Sequence, residues 1–381
     1  MMWRLLAGAV LAGALVTTGL TPAVAAPPPD LETAVTDSML AKARVASEAE
    51  PVVTTTRKAA GWAFGTAVLA TGHEVDRHPE GWLFVAERTG KGWRVALEGE
   101  PAFAELTGRA PVVQAGERAR LAGLGGQPGV QAGNDLRTGM ALPYAVGQSW
   151  YMYGGPHGWS GTPAPWSSLD LAGGDQRVLA ARAGTAYTMC TGWLRVIHDR
   201  GYSTDYYHLW NNIWVDGAGV SQGTFLGNTG TDVTCGGSAS GRHVHFALRQ
   251  HSAYVGIGNH NLGKWVPQNG GAAYQGSALH GSTRVYAGGA LYNYGALGFN
   301  QGVIDANGGT AVNKRSGPGT GYGVVGSVAD GATVTVSCSA NGTSHAGRWG
   351  TTSLWNRLTD GTWVTDAFMW TGVNGAVNGS C

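Results

Sequence analysis

The chain has 381 residues, 25 Lys and Arg against 24 Asp and Glu, and an unusual content of Gly (63) and Trp (15). That length exceeds one ordinary domain, so two or three are expected. The net charge of +1 argues against a nucleic-acid partner, which would need clustered cations. With charged residues at only 13%, the glycine content suits short strands and tight turns better than helical bundles.

Residues 1–26 read as a signal peptide. Arg4 precedes the apolar run Leu5 to Val16, and the segment closes on Ala23-Val24-Ala25-Ala26 before three prolines. The run is shorter than the ~20 residues of a membrane-spanning helix, so the expectation is a secreted protein, extracellular or cell-wall associated, with no membrane contact after cleavage. Four cysteines in an exported chain read as disulfides. Of the three possible pairings the domain-local one is simplest: Cys190–Cys235 and Cys338–Cys381.

Residues 27–135 form a region of their own, holding 11 basic and 14 acidic side chains, about half of all the chain's charged residues. An Ala-rich helix is predicted over 31–50, then strands at 62–68, 81–86 and 93–97. Gly123 to Asn134 has the composition of an exposed linker. A small folded segment ahead of a cuttable linker implies a propeptide, the alternative being a permanent extra domain.

From Leu142 onward, aromatic and β-branched runs alternate with Gly, Asn and Asp turns, which predicts a mostly antiparallel β region. Eight of the eleven histidines lie between 157 and 280. His243 and His245 sit two apart in one strand-like run, so both face one way while Val244 and Phe246 face the core. His208 follows a similar run, with Tyr206 expected on its face. His157 is placed in a loop, Gly154-Gly155-Pro156-His157. Imidazole and carboxylate suit zinc, and three protein ligands plus an open position define a catalytic site. Spacing leaves Asp170, Asp199 and Asp205 open as the carboxylate. The last glutamate is Glu117, so a mechanism of the H-E-x-x-H type lacks its base; proton transfer falls to His or Asp. His198 reads as structural or as a support of the site, and His251, His260 and His280 as solvated loop residues. His73, His78 and His345 fall outside this region, and nothing singles out one of them as a cap for the metal.

The chain from about Leu142 to Leu297 resembles the M23 family of zinc endopeptidases, within it the group of β-lytic and staphylolytic enzymes. The matching pieces are Gly-Gly-Pro-His157-Gly-Trp, Ser-Ser-Leu-Asp170, Tyr-Tyr-His208-Leu and Gly-Arg-His243-Val-His245-Phe, in that order. The 13-residue step from His157 to Asp170 is similar to that subgroup and longer than in lysostaphin-like members. The resemblance implies one zinc ion per chain held by His157, Asp170 and His245. It also implies catalytic roles for His208 and His243, as general base and oxyanion donor in an order the sequence leaves open.

Residues 299–381 resemble a bacterial SH3-like cell-wall-binding domain, through Val312-Asn313-Lys314-Arg315-Ser316-Gly317-Pro318-Gly319, the Gly331 to Val336 run and Asp360-Gly361-Thr362-Trp363-Val364. Trp349, Trp355, Trp363 and Trp370 could form a ligand platform, or at least two of them could be core. The expected architecture is mostly β: a signal peptide (1–26), an α+β propeptide region (27–135), an antiparallel metallopeptidase core (136–298) and a small SH3-like β-barrel (299–381). The expected function is a monomeric secreted zinc endopeptidase acting on peptidoglycan cross-links or stem peptides, with glycine-rich bridges plausible. The rivals are a non-catalytic wall-binding or scaffold protein with a degenerate peptidase domain, and a glycosidase using two aspartates.

Overall fold

The computed structural model describes residues 29–43, 49–74, 77–125 and 135–381. The signal-peptide reading, and the linker reading for 126–134, lie outside those residues. Among the described residues no helix is long and apolar enough to cross a membrane.

The central element is an antiparallel sheet. In spatial order its strands are Asp216–Val220, Gly184–Cys190, Trp193–Ile197, Tyr202–Tyr207, Val244–Gln250, Ser168–Ala172, Ser149–His157 and Ala290–Tyr292. Alternation sorts its side chains into two faces. Trp150, Met152, Leu169, Leu171, Leu194, Val196, Tyr206, Val244, Phe246 and Leu248 lie on one, inside the largest core cluster. Tyr187, Met189, Trp193, Ile197, Tyr207 and Ala247 lie on the other, in a second cluster that they share with the N-terminal region. The His and Asp candidates belong to this second face.

The N-terminal region is a meander of Glu50–Ala59, Trp62–Ala70, Glu80–Thr89 and Gly92–Leu97. Its second strand is buried on both sides, which is why it reads as an unbroken apolar run. Ala63, Ala67 and Leu69 pack toward the helix Leu31–Ala43, whereas Phe64 and Val68 pack toward the central sheet. The helix is shorter than the predicted 31–50: Glu50 already starts a strand that pairs with Ala70. Two further helices, Pro101–Arg109 and Ala115–Gly123, were not anticipated; they place Phe103, Leu106 and Leu121 in the shared cluster.

The C-terminal unit is a seven-stranded antiparallel sheet around Ile304, Val312, Val336, Leu358, Val364 and Met369. Three of its four tryptophans, Trp355, Trp363 and Trp370, are buried and Trp349 is half-buried, so they serve packing rather than a surface platform. Trp370 joins Val266, Leu279, Leu297 and Val303 in a cluster that ties this unit to the three-stranded sheet Val266–Asn269, Gly276–His280, Thr283–Tyr286. Both domain-local disulfides, Cys190–Cys235 and Cys338–Cys381, are present.

Candidate metal centre

Three adjacent strands bring the ligand candidates together. His245 lies directly opposite Asp170, and the next strand over ends on His157. His157 is therefore a strand residue rather than a loop residue. Two register shifts, at Met152/Gly154 and Gly154/His157, carry the Gly-Gly-Pro run through the sheet edge. Gly154 is required for close approach: a Cβ there would lie 2.7 Å from Asp170 Oδ2.

His157 Nε2 is 3.2 Å from His245 Nδ1 and 3.3 Å from Asp170 Oδ1, and His245 Nδ1 is 3.0 Å from Asp170 Oδ1. Ligands about 2.0–2.1 Å from one tetrahedral zinc ion stand roughly 3.3 Å apart, so this triangle has the size of one coordination face. The His157 Nδ1–H donates to Gly155 O at 2.7 Å, which leaves the Nε2 lone pair facing inward. Burial opposes charge on Asp170, yet the facing His157 and His243 hold its carboxyl well below the usual range. Burial pushes His245 strongly down, toward the neutral imidazole that ligates a metal. A lone pair, a carboxylate and a neutral imidazole converging in a buried site fit a divalent cation.

His208 and His243 flank this triangle. His243 Nε2 is 3.5 Å from Asp170 Oδ1, and its ring centroid is 4.8 Å from that of His208. The Nδ1–H of His208 donates to Asp232 O at 2.9 Å and that of His243 to Gly241 O at 2.7 Å. Both rings therefore present an Nε2 lone pair, and that of His208 is buried without a hydrogen-bond partner. Burial, then the neighbouring His243 and His78, bring His208 down to about 3. Tyr206 does not share its face. A left-handed backbone at His208 (φ 66°) breaks the alternation and stacks the ring on Tyr207 at 4.5 Å, while Tyr206 points to the opposite core.

The other candidates separate cleanly. Asp199 is exposed and pairs with Arg182; Asp205 is buried on the metal-site face but is held by Arg195. His198 bonds Ala183 O and Thr204 Oγ1, a structural role. His260 and His280 are buried, contrary to the solvated-loop expectation: His280 stacks on Tyr294 at 3.9 Å. The residue that sequence reasoning missed is His78. It is buried against His245 (4.7 Å), His208 (5.2 Å) and Trp159 (5.6 Å), and its Nδ1 has no partner. Its local sequence carries no signal, because its environment exists only after the N-terminal region docks.

These features make a candidate metal centre on an antiparallel sheet, with two further histidines beside it. No family model matches the chain. Protease LasA of Pseudomonas aeruginosa is 33% identical over 137 residues, 33% of this chain and 32% of that protein, so the chain spans about a third of that relative's length. The beta-lytic metalloendopeptidase of Lysobacter enzymogenes is 31% identical over 147 residues, which cover 35% of this chain and 82% of that protein. The solved structure of pseudoalterin, a novel M23 metalloprotease from the deep sea, is 31% identical, covering 40% of this chain and 97% of its own, with a TM-score of 0.38. The chain belongs to the M23 family of zinc metallopeptidases.

Proposed function

We propose that the chain is an exported zinc endopeptidase that hydrolyses peptide bonds in peptidoglycan cross-links or stem peptides, made with residues 27–135 as a removable cover. The observation that carries this reading is the inward triangle of His157 Nε2, Asp170 Oδ1 and His245 Nδ1, with the Nε2 lone pairs of His208 and His243 beside it. Zinc bound there supplies Lewis acidity, making water acidic enough to ionise near neutral pH and polarising the scissile carbonyl.

The chain's own groups do the rest. His208 or His243 accepts the proton of the attacking water at Nε2 and returns it to the leaving amine. The other, once its Nε2 carries a proton, donates to the oxyanion. The backbone carbonyls of Asp232 and Gly241 hold both rings in the required tautomer. Asp170 stays ionised and balances the positive charge of the site.

The cover reading rests on position. His78 fills the space beside His208 and His245, and Pro79 O accepts a 2.7 Å bond from Trp159 Nε1 next to them. This segment buries His208 and His245, whereas His243 stays partly exposed and, with Asp170, lines a pocket that carries no residue of the N-terminal region. The two disulfides are consistent with an oxidising, extracellular setting. Wall binding by residues 299–381 and a monomeric state are part of the same proposal.

The test is chemical. Purified bacterial walls are digested with the chain nicked within 126–134, and the products are assayed for new amino groups and for new reducing ends. Amino groups alone are expected. Reducing ends without amino groups would establish a glycosidase, and no products from either assay would support the degenerate-scaffold reading.

A further inference from the structure

The metal-site face continues past the zinc ligands into a second polar cluster. Along one strand, His245, Ala247 and Arg249 point the same way, Asp205 lies opposite Ala247, and Arg195 lies opposite Asp205. Asp205 accepts from Arg195 Nε and Nη2 at 2.7 and 2.9 Å, a bidentate pair that leaves Nη1 unused. That Nη1 donates instead to Glu98 Oε2 at 2.7 Å and to Gly81 O at 3.1 Å, both from the N-terminal region. The other Glu98 oxygen lies 3.3 Å from Arg249 Nη2. Arg195, Asp205, Glu98 and Arg249 are all buried.

Charge makes the arrangement informative. Two guanidinium groups and one carboxylate leave the catalytic sheet with one surplus positive charge, and Glu98 cancels it. Leaving such a cation buried without its partner is costly, so the site is complete only with a carboxylate in it. It is also built to receive one. Tyr254 donates to Asp205 Oδ2 at 2.8 Å and lies 4.8 Å beneath Arg249, and Arg249 Nε has no partner of its own. A cavity of about 340 Å³ opens alongside, lined by Arg249, Tyr254, Trp159, Pro163, Glu80 and Trp82. Two of these linings, Glu80 and Trp82, belong to the N-terminal region.

We propose that Arg195 and Arg249 form a carboxylate-binding subsite of the catalytic cleft, occupied by Glu98 in the unprocessed chain and by a carboxylate of the peptide substrate afterwards. This rests on the reading that residues 27–135 are removed from an endopeptidase. Four residue steps along the strand lead from His245 to Arg249, about 13 Å, which is the reach of three to four residues of extended peptide. The recognised carboxylate therefore stands three or four residues from the scissile bond, and the same contact gives the cover its hold on the cleft.

Two measurements decide it. In the full chain, Glu98→Ala removes the internal ligand. Its melting temperature is expected to fall, to recover with added propionate and not with propionamide, while the wild type responds to neither. Equal responses to the acid and the amide overturn the site. Second, the chain nicked within 126–134 is given glycine-rich peptides with Glu or Gln at the third or fourth residue on either side of the cleaved bond. At the matching position, kcat/KM for Glu is expected to exceed that for Gln by about ten- to a hundredfold, the range of one charge-assisted pair. Ratios within about twofold at every position overturn the substrate assignment. Propionate rescue with no cleavage of any peptide contradicts the endopeptidase reading and leaves the carboxylate site standing.

Discussion

His157, His208 and His243 are each pinned through Nδ1–H to a backbone carbonyl, at Gly155, Asp232 and Gly241. One device thus serves the proposed ligand and the two proposed proton-transfer groups; what separates them is that His157 Nε2 lies within 3.3 Å of both Asp170 Oδ1 and His245 Nδ1, whereas that of His208 has no partner and that of His243 stands 3.5 Å from Asp170 Oδ1. His208→Ala and His243→Ala are accordingly expected to keep the metal and to lower kcat by about 10²–10⁴. Metal analysis beside single-turnover rates checks this, and loss of metal in either variant contradicts the division of roles. Gly154→Ala places a methyl group 2.7 Å from Asp170 Oδ2, so it should weaken zinc affinity while leaving the fold intact, measurable by competition with a chelator. The histidine pair on one strand face is legible in the sequence because a strand's period is two. Asp170 is not, because Asp205 also sits mid-strand on the same face. The two differ only in what lies across the sheet: His245 for Asp170, Arg195 for Asp205.

At the scale of elements, the strands predicted at 62–68, 81–86 and 93–97 fall inside Trp62–Ala70, Glu80–Thr89 and Gly92–Leu97, since each is an apolar or alternating run. The errors occur where geometry departs from regular alternation: register shifts turn the loop before His157 into a strand end, and a positive φ at His208 swaps its face. The helices Pro101–Arg109 and Ala115–Gly123 were hidden by their shortness, nine residues each. In the C-terminal sheet, Asp366 opens a short turn after the Trp363–Thr365 strand. Burial raises its carboxyl to about 6 against the lowering effect of the Asn356 side-chain bond. Between pH about 4 and 6 the unfolded chain is then ionised there while the folded chain is still protonated. The unfolded state binds fewer protons, so this group's contribution to stability falls as pH rises through that window. The ceiling is about 3 kcal/mol. Hydrogen exchange in the neighbouring strands should show protection falling from pH 4 to 6.5, a trend that Asp366→Asn abolishes. An unchanged trend in that variant would assign it to another group.

The whole molecule is assembled through shared cores rather than as beads on a string. The N-terminal region inserts Phe64, Val68, Leu83 and Val85 into a cluster with Tyr187, Trp193 and Tyr207 of the catalytic sheet. It is also clamped by ions: Arg57 pairs with Asp216 at 2.7 Å and with Glu117, the last glutamate of the chain, which Tyr187 also bonds. Glu117 is therefore a docking residue, in keeping with its absence from the metal centre. On the opposite flank the C-terminal unit shares Trp370 and Val303 with the catalytic region, and Arg137, Arg182 and Arg200 surround the Phe299 ring. Deleting 299–381 would expose that cluster, so wall binding is better tested by surface substitutions than by truncation. Charge distribution along the sequence marked the N-terminal region as separate. That its inner face packs on His208 and His245 was not legible, because it depends on a tertiary interface that no local pattern encodes.

The central claim, one metal ion held by His157, Asp170 and His245, is tested most directly by metal stoichiometry. Purified wild-type chain and the Asp170→Asn and His157→Ala variants, each confirmed as folded by circular dichroism, are dialysed against trace zinc and analysed by elemental mass spectrometry. One zinc per wild-type chain and close to none in either variant is the expected result; zinc retained at the wild-type level in both would contradict this ligand set.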